Sequence, residues 1–240
     1  MTNRVLLDNV AHADLTVTAR RGAAFGDAVN QLLVFPTEFE PLQREYPILF
    51  RRRDTGDFYA VALLGLDLDE NLFLDGADWR ARYIPAVQQR GPFLHGPPTP
   101  DGNGDGSPGI YVDLGDARVG AKGGEPLFLR HGGRTPYLER IAGVLDVIRR
   151  GHESEAPFFA ALAAADLIRP VSLDIEIGDG TVYTVADVST VDQDRLAELG
   201  GTTLEQLHHA GFLRAAMMAA TSIGNVARLI ELKNARVASR

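Results

Sequence analysis

The sequence predicts an α+β fold: a mainly antiparallel sheet with hairpins, followed by a helical C-terminal section. Three observations support it. Two strand-like segments flank a turn between Ile48 and Leu64, apolar residues change to helical spacing from Pro136 onward, and Gly178-Asp179-Gly180 joins two alternating segments. We expect one domain over residues 1–240, with a β-rich part at about 1–130 and a helix-rich part containing one hairpin at about 131–240.

The N-terminal part predicts short strands separated by turns. Thr16–Ala19, in which polar and apolar side chains alternate, and Ile48–Arg52 are the clearest strands. Residues 34–47 contain three prolines, which favour an extended chain over a helix. Arg53–Asp57 predicts a turn, and Phe58–Leu64 predicts the returning strand of a hairpin that is apolar enough to be central.

The middle of the chain predicts less regular structure. Asn71–Leu74 is a short strand or turn, and Trp79–Gln89 is a helical turn whose length Pro85 limits. Gly91–Gly109 is rich in proline and glycine, which predicts a long loop. A strand at Ile110–Leu114 follows.

The C-terminal part predicts helices around one hairpin. A first helix begins near Pro136 and ends at Gly151 as its C-cap, and a second spans Ala156–Leu167. The Asp179-Gly180 turn predicts a hairpin with one buried face. The hairpin strands are Val171–Ile177 and Val182–Val188, and the later helices are Asp192–Leu199, Leu204–Gly211 and Phe212–Ala238.

Composition excludes several functional classes. The 240 residues carry a formal net charge of -8, which disfavours general nucleic-acid or anionic-membrane binding. The chain has no cysteine, so disulfides, thiolate nucleophiles and cysteine-ligated metals are excluded. The first residues lack a continuous apolar signal segment, which predicts the cytoplasm as the default location and no membrane insertion. Surface association through an uncleaved export route stays open.

Two short motifs resemble ion or phosphate sites without completing them. Asp101–Gly106 matches the start of a calcium loop, but Val112 stands where the bidentate carboxylate is needed, so a flexible turn is favoured. Gly120–Glu125 lacks the spacing of a phosphate-binding loop and predicts a turn. The sequence therefore predicts no cofactor and no metal at either segment.

For the histidines and the other charged side chains, a structural or solvent-exposed role is the favoured interpretation. None of the six histidines has a metal-binding spacing, although His95 and His131, both in glycine-rich segments, are the best members of a site assembled from distant positions. Arg51-Arg52-Arg53 predicts a solvated strand end with Arg52 on the face opposite to its neighbours, the alternative being an anion contact. Asp67, Asp69 and Glu70 predict turn carboxylates rather than an acid/base pair.

The segment 41–93 is dense in aromatic residues interleaved with charges, which indicates a fold nucleus or a recognition surface. It contains the only tryptophan of the chain. The candidate partner-binding residues are Trp79, Tyr83, Arg90 and Phe93. Core packing is the competing interpretation for Trp79 and Phe93, whereas the polar ends of Tyr83 and Arg90 favour recognition.

A series of segments recurs in a characteristic order along the chain: Glu38–Phe50, Leu63–Ala86, Arg90–Phe93, Leu127-Phe128, the Asp179-Gly180 hairpin and the segment with Ser222 and Asn225. Together they resemble the bacterial SapC family across nearly the whole chain. Gln89 and Gly91 depart from the Arg-Arg-aromatic-Pro-Phe element that is common in the family. The resemblance implies a link to surface-layer or envelope functions, and it brings no catalytic residues to this chain.

The favoured prediction is a non-enzymatic SapC-like accessory or binding protein that acts through protein contacts. The first alternative is an enzyme or enzyme partner with a small-molecule or metal pocket between the sheet and the C-terminal helices, assembled from loop histidines and carboxylates. The second is self-association through a stripe on the C-terminal helix, which burial within one chain explains equally well. The stripe residues are Leu213, Met217, Ile223, Val226 and Ile230.

Overall fold

The computed structural model describes residues 3–98 and 108–239. The strands are β1 Arg4–Leu6, β2 Thr16–Val17, β3 Gln31–Val34, β4 Ile48–Arg52, β5 Phe58–Leu63, β6 Leu74–Asp75, β7 Asp78–Trp79, β8 Phe93–Pro98, β9 Pro108–Asp113, β10 Glu125–Pro126, β11 Ile168–Glu176 and β12 Val182–Val191. The α-helices are α1 Phe39–Leu42, α2 Ala86–Gln89, α3 Pro136–Ala164, α4 Gln193–Ala197, α5 Gly201–His209, α6 Phe212–Ser222 and α7 Val226–Ala238. Short 3-10 helices lie at Ala23–Phe25, Pro36–Glu38 and Ile223–Asn225.

A five-stranded sheet in the order β11-β12-β4-β5-β3 forms the centre of the protein. Both predicted hairpins are present: Leu49 pairs with Val61, and Ile175 pairs with Tyr183. Smaller sheets are β1-β9-β8, β10-β2 and β6-β7. Every strand pair among the described residues is antiparallel, so the predicted α+β class is confirmed.

The long helix α3 replaces the two helices that the sequence predicted. Its N-cap is Thr135, whose hydroxyl accepts the Leu138 N–H at 3.3 Å. The predicted C-cap, Gly151, lies inside the helix because Phe35 packs against the helix backbone there. A Cβ at this position would come within 2.4 Å of the Phe35 ring. Gly151 thus allows the close approach of Phe35 and does not end the helix.

Two further expectations from proline and glycine are wrong. Residues 34–47 include a 3-10 turn and helix α1, since prolines within a first helical turn lose no intrahelical hydrogen bond. The expected loop Gly91–Gly109 instead contributes β8 and β9, which pair with a register shift between His95 and Pro98. The calcium-like segment Asp101–Gly106 lies outside the described residues.

The buried apolar side chains form two clusters, and α3 packs into both. The larger cluster joins the five-stranded sheet to the second half of α3, where Phe158 and Leu162 lie, and to α6. The smaller cluster joins the β1-β9-β8 sheet to the first half of α3, where Leu138 and Leu145 lie. Phe93 is fully buried in the smaller cluster. The first half of α3 is therefore the element that holds the second cluster and its surroundings in place.

The predicted C-terminal helix is interrupted between α6 and α7 by a 3-10 turn. Of the predicted stripe, Met217 is 48% exposed, while the other four residues are half-buried. The fully buried face consists mainly of small residues that let α6 approach the sheet closely. It comprises Ala215, Ala216, Ala219, Ala220 and Ser222 on α6, with Leu229 on α7. None of the helices in the described ranges is long and apolar enough to cross a membrane.

Candidate functional site

The candidate site is a pocket of about 400 Å³ beside the smaller cluster. Four segments distant in sequence line it: the chain after β2, the region around α2, the turn after β9 and the first half of α3. The pocket differs in position from the expected one, which was placed between the sheet and the C-terminal helices. Its lining includes Arg20, Arg21, Arg118 and Arg140, and we call it the arginine pocket.

Arg118 is fixed in the pocket wall by a two-pronged ion pair with Asp116. The Arg118 Nε–Asp116 Oδ1 distance is 2.9 Å, and the Arg118 Nη2–Asp116 Oδ2 distance is 2.7 Å. Hydrogen bonding across the pair raises the pKa of Arg118 and lowers the pKa of Asp116. Both side chains are largely buried, so this guanidinium is held in one orientation.

Arg21 is held by the fully buried Asp27 and by a backbone carbonyl. Its Nη1 donates to the Gln88 carbonyl at 2.8 Å and lies 3.8 Å from Asp27 Oδ1. Asp27 also accepts hydrogen bonds from the Gly22 N–H at 2.6 Å and from Gln88 Nε2 at 2.5 Å. Burial lowers the pKa of Arg21, and the charge of Asp27 opposes that shift. An arginine with this partner keeps its charge.

Arg20 and Arg140 supply positive charge that no neighbouring carboxylate neutralises. Both side chains are exposed, and within residues 3–98 and 108–239 neither forms an ion pair. The Arg140 guanidinium lies 5.5 Å from the centroid of the Tyr137 ring, within range of a cation–π interaction. Asp27 and Asp116 partner the other two arginines, so the pocket carries a local positive excess in a chain with a formal net charge of -8.

The apolar part of the lining belongs mainly to α3, the helix that also carries Arg140. Ile141, Val144 and Val147 line the pocket from successive turns of that helix. Gly143 lies among them and is exposed, and a Cβ built on it meets no atom within 4 Å. The pocket lining is therefore two-sided in its chemistry, because guanidinium groups and aliphatic carbon face the same cavity.

A buried carboxylate, Glu38, holds two residues of the pocket wall in place. It is 1% exposed and accepts the Phe35 N–H at 3.1 Å, the Ala86 N–H at 2.9 Å and the Tyr83 hydroxyl at 2.9 Å. Burial raises the pKa of Glu38, and these three hydrogen bonds oppose the rise. Burial, together with the adjacent Glu38, also raises the pKa of Tyr83. Tyr83 and Ala86 line the pocket, so Glu38 fixes two points of its wall.

Trp79 belongs to the same hydrogen-bonded network. Its Nε1 donates to the Tyr46 hydroxyl at 2.8 Å, and that hydroxyl donates to the Tyr83 carbonyl at 2.6 Å. Burial raises the pKa of Tyr46, which is fully buried. The half-buried Trp79 lies in β7 rather than in the helical turn expected at Trp79–Gln89, of which only α2 is present.

The other two predicted partner-binding residues lie just after α2. Arg90 is half-buried, its Nη1 donates to the Phe93 carbonyl at 2.8 Å, and burial lowers its pKa. The fully buried Phe93 packs edge-on against Tyr137, which lines the pocket. Of the four predicted residues, Tyr83 lines the pocket, and Arg90 directly precedes two lining residues. Phe93 packs against the lining residue Tyr137, and Trp79 is linked to Tyr83 through the Tyr46 hydroxyl.

The histidines of the alternative metal site are not assembled with carboxylates. His95 lies in β8 with its Nδ1 buried and without a hydrogen-bond partner among the described residues, and burial lowers its pKa. His131 is exposed in the turn before α3. The part of the chain that the structure describes contains no group of three His, Asp or Glu side chains that could hold a metal ion.

The remaining charged motifs have structural partners. Arg52 lies over the Phe58 ring and Arg53 over the Tyr59 ring, so adjacent arginines occupy opposite faces as predicted. Arg53 Nη2 also pairs with Glu155 at 2.8 Å. Glu70, expected in an ordinary turn, is 5% exposed and forms a buried ion pair with Lys233.

Sequence reasoning missed all four arginines of the pocket. Arg20-Arg21 and Arg118 stand in turn-like segments with no spacing that links them to Arg140. The only available signals were the arginine doublet itself and the glycine-rich turn near Arg118. Tertiary folding, rather than a local motif, brings these charges to one place.

The SapC family model matches residues 7–229 of the chain. The match covers all four pocket arginines, both pocket tyrosines and both hydrophobic clusters. No curated protein and no solved structure matches the chain.

Proposed function

Since the chain belongs to the SapC family, we propose that it works as an accessory or binding protein whose arginine pocket receives an anionic group. The observation that carries the proposal is the convergence of four arginines on one pocket of about 400 Å³. A guanidinium presents donors in a planar fork that suits carboxylate and phosphate oxygens. The chain as a whole is acidic, so this local excess of positive charge is unlike its surroundings.

The arrangement of the four arginines divides the work of binding. Arg21 and Arg118 are largely buried, ion-paired and fixed, so they shape the pocket wall. Arg20 and Arg140 are exposed and have no carboxylate partner among the described residues, so their donors are available to a ligand. An arriving anion would therefore meet two exposed guanidinium groups beside two that are fixed by ion pairs.

The chemistry of the lining favours binding over catalysis. General acid/base work needs a group whose pKa lies near the working pH. The titratable side chains of the lining are four arginines and two tyrosines, and burial raises the pKa of both Tyr83 and Tyr137. These phenols stay neutral at ordinary pH and serve as hydrogen-bond donors or acceptors. The pocket is thus equipped to hold a charge rather than to transfer a proton.

The predicted partner contacts fit the same face. Tyr83 lines the pocket, and the half-buried Trp79 and Arg90 belong to segments adjoining it. A protein partner that placed an acidic group in the pocket would lie over this region. In this proposal Phe93, which has no exposed surface, contributes by supporting Tyr137 rather than by touching the partner.

The proposal is tested by removing the two unpaired charges and leaving the fold intact. We expect phosphate, citrate or hexanoate, compared with chloride at equal ionic strength, to raise the unfolding temperature of the wild-type protein. A ligand present at about a hundred times its dissociation constant adds about 2.7 kcal/mol of stability, enough for a shift of several degrees. The Arg20→Gln/Arg140→Gln variant should lose this shift.

The matched control is Arg195→Gln/Arg228→Gln, which removes the same charge from two exposed arginines remote from the pocket lining. It should respond to the anions as the wild-type protein does. The proposal fails if no anion stabilises the wild-type protein, or if the pocket variant and the control respond equally.

A further inference from the structure

Building on the anion-binding function proposed above, we infer that the natural occupant of the arginine pocket is a small organic acid with one anionic head and a short apolar body. The inference rests on the two-sided character of the pocket. The charge-bearing side alone would suit any anion, but the aliphatic side adds a second requirement that inorganic anions do not meet.

The apolar side is large enough to select a ligand. Ile141, Val144 and Val147 form one face of α3 toward the pocket, and Ala86 and Pro92 add further carbon from the α2 region. Apolar surface covered by a ligand contributes free energy in proportion to its area. A volume of about 400 Å³ is in the range of pockets that enclose small organic ligands.

Gly143 keeps this side open. Within a helix, glycine is less favourable than alanine, so its presence on the pocket face calls for a local reason. A side chain at this position would start from a Cβ with no atom within 4 Å and would extend into space at the pocket. The absence of a side chain leaves room next to Val144 and Val147 for the apolar body of a ligand.

Other anions fit these observations less well. Inorganic phosphate would satisfy the guanidinium groups but leave the aliphatic wall in contact with water. A nucleic acid or other polyanion needs an extended basic surface, whereas the chain has a formal net charge of -8. A monoacid with an alkyl or aryl body uses both sides at once.

The test is a calorimetric titration with butanoate, hexanoate and octanoate at constant ionic strength. We expect the affinity to rise about fourfold for each added methylene until the pocket is filled. Hexanamide, which has the same body without the charge, should bind far more weakly. Arg20→Gln/Arg140→Gln should weaken all three acids by a similar factor.

The variant that isolates the apolar side is Gly143→Leu. Leucine is a good helix former and meets open space here, so the helix content should be preserved and the unfolding temperature should not fall. This variant should bind butanoate nearly as well as the wild-type protein but should lose the gain from hexanoate and octanoate. A loss confined to the longer acids would show that the α3 face contacts the ligand body.

Three results would overturn the inference, and they separate it from the proposed function. If phosphate binds more tightly than every acid and Gly143→Leu has no effect, the pocket recognises anions but not an apolar body. If a polar peptide with a free C-terminal carboxylate, such as acetyl-Gly-Ser-Gly, binds tightly while octanoate does not, the site takes the end of a polypeptide instead. If no acid and no inorganic anion binds, both the inference and the proposed function fall.

Discussion

Glu38 shows how one side chain can organise the candidate site without touching its occupant. The carboxylate is almost fully buried and is stabilised by three hydrogen-bond donors instead of a cation. A buried carboxylate without a paired cation is costly unless its oxygens are satisfied. The Phe35 donor belongs to the same segment as Glu38, and the Tyr83 and Ala86 donors lie together at the start of α2, so the group ties the start of α1 to the start of α2.

We expect Glu38→Gln to destabilise the protein by about 1–3 kcal/mol, because the amide nitrogen would confront a backbone N–H that now donates to an oxygen. Chemical denaturation monitored by circular dichroism measures this difference. The control is Glu40→Gln, an exposed carboxylate that pairs only with arginines on the surface and should change stability by less than about 0.5 kcal/mol. Equal effects of the two substitutions would contradict the assigned role of Glu38.

The raised pKa of Glu38 gives a second prediction, on pH. The folded-state pKa lies above the unfolded value, so the stabilising contribution of this group is complete below the unfolded pKa and is lost as pH rises through the folded pKa. The wild-type protein should therefore gain stability relative to Glu38→Gln as pH falls from 7 toward 4.5. If the free energies of unfolding of the two proteins changed in the same way with pH, burial would not be raising the pKa of Glu38.

For single residues, the sequence shows which side chains are present but not which of them come together in the fold. Tyr83 was selected because its polar end seeks a partner, and it does contact the pocket. Its partner, Glu38, and the pocket arginines were not selected as a site, because more than a hundred residues separate Arg20 from Arg140 and no local spacing links them. A charge cluster assembled from distant turns leaves no periodic signal in one sequence.

Among the elements, α3 best separates what local pattern can predict from what it cannot. The helix start near Pro136 was correctly predicted, and Thr135 and Pro136 follow the known preferences for the N-cap and the first helical position. Gly151 was assigned to a helix end because glycine favours that position. Its actual reason is the approach of Phe35 from another segment, which no window around Gly151 contains.

Two glycines of α3 should therefore respond in opposite ways to the same substitution. Gly143→Ala should stabilise the protein by about 0.5–1 kcal/mol, because alanine has the higher helix propensity and its Cβ meets open space. Gly151→Ala should destabilise it by at least about 1–3 kcal/mol, because the Cβ would come 2.4 Å from the Phe35 ring and force a shift. Each free energy of unfolding can be obtained by denaturant titration.

The two glycines also serve as controls for each other. They have the same residue type, helix and substitution, and they differ only in what lies in front of the new methyl group. If Gly151→Ala were also stabilising, Phe35 would not be packed against the backbone of α3, and a helix end near Gly151 would again be the better interpretation.

For the whole molecule, the C-terminal helices close the fold by returning to its N-terminal half. Ser222 Oγ accepts the Ile48 N–H at 2.9 Å, and Asn225 Nδ2 donates to the carbonyls of Gln43 and Tyr46. Farther along, α7 carries Lys233, which is 3% exposed. The C-terminal hairpin and the helices after it were predicted from the sequence, but this docking was not, because Lys233 appears in the sequence as an ordinary polar residue of a surface helix.

Lys233 connects α7 to the turn after β5. Its Nζ lies 2.8 Å from Glu70 Oε1 and 2.6 Å from Asp67 Oδ2, and 5.0 Å from the centroid of the Tyr183 ring. Glu70 is buried and Asp67 is half in solvent, so the ammonium is the main compensation for a buried negative charge. Burial lowers the pKa of Lys233, but the hydrogen bonds that its ammonium donates to Asp67 and Glu70 outweigh this effect and raise the pKa above its usual value.

Removing this ammonium should weaken the attachment of the C-terminal helices. Lys233→Met keeps much of the apolar stem but leaves Glu70 with the more distant Arg236, whose Nη1 lies 3.9 Å from Glu70 Oε1, so we expect a loss of about 3 kcal/mol. The chain has one other lysine, the exposed Lys122, so Lys122→Met is the matched control and should change stability by less than about 0.5 kcal/mol.

Because the folded-state pKa is raised, the contribution of Lys233 is complete below the lysine's unfolded pKa of about 10.4 and is lost only as pH rises through the folded pKa. The titration of Lys233 should therefore not change the stability difference between the wild-type protein and Lys233→Met between about pH 7 and 9, as measured by urea unfolding. A stability difference near zero in this pH range would mean that α7 is held by its apolar contacts alone.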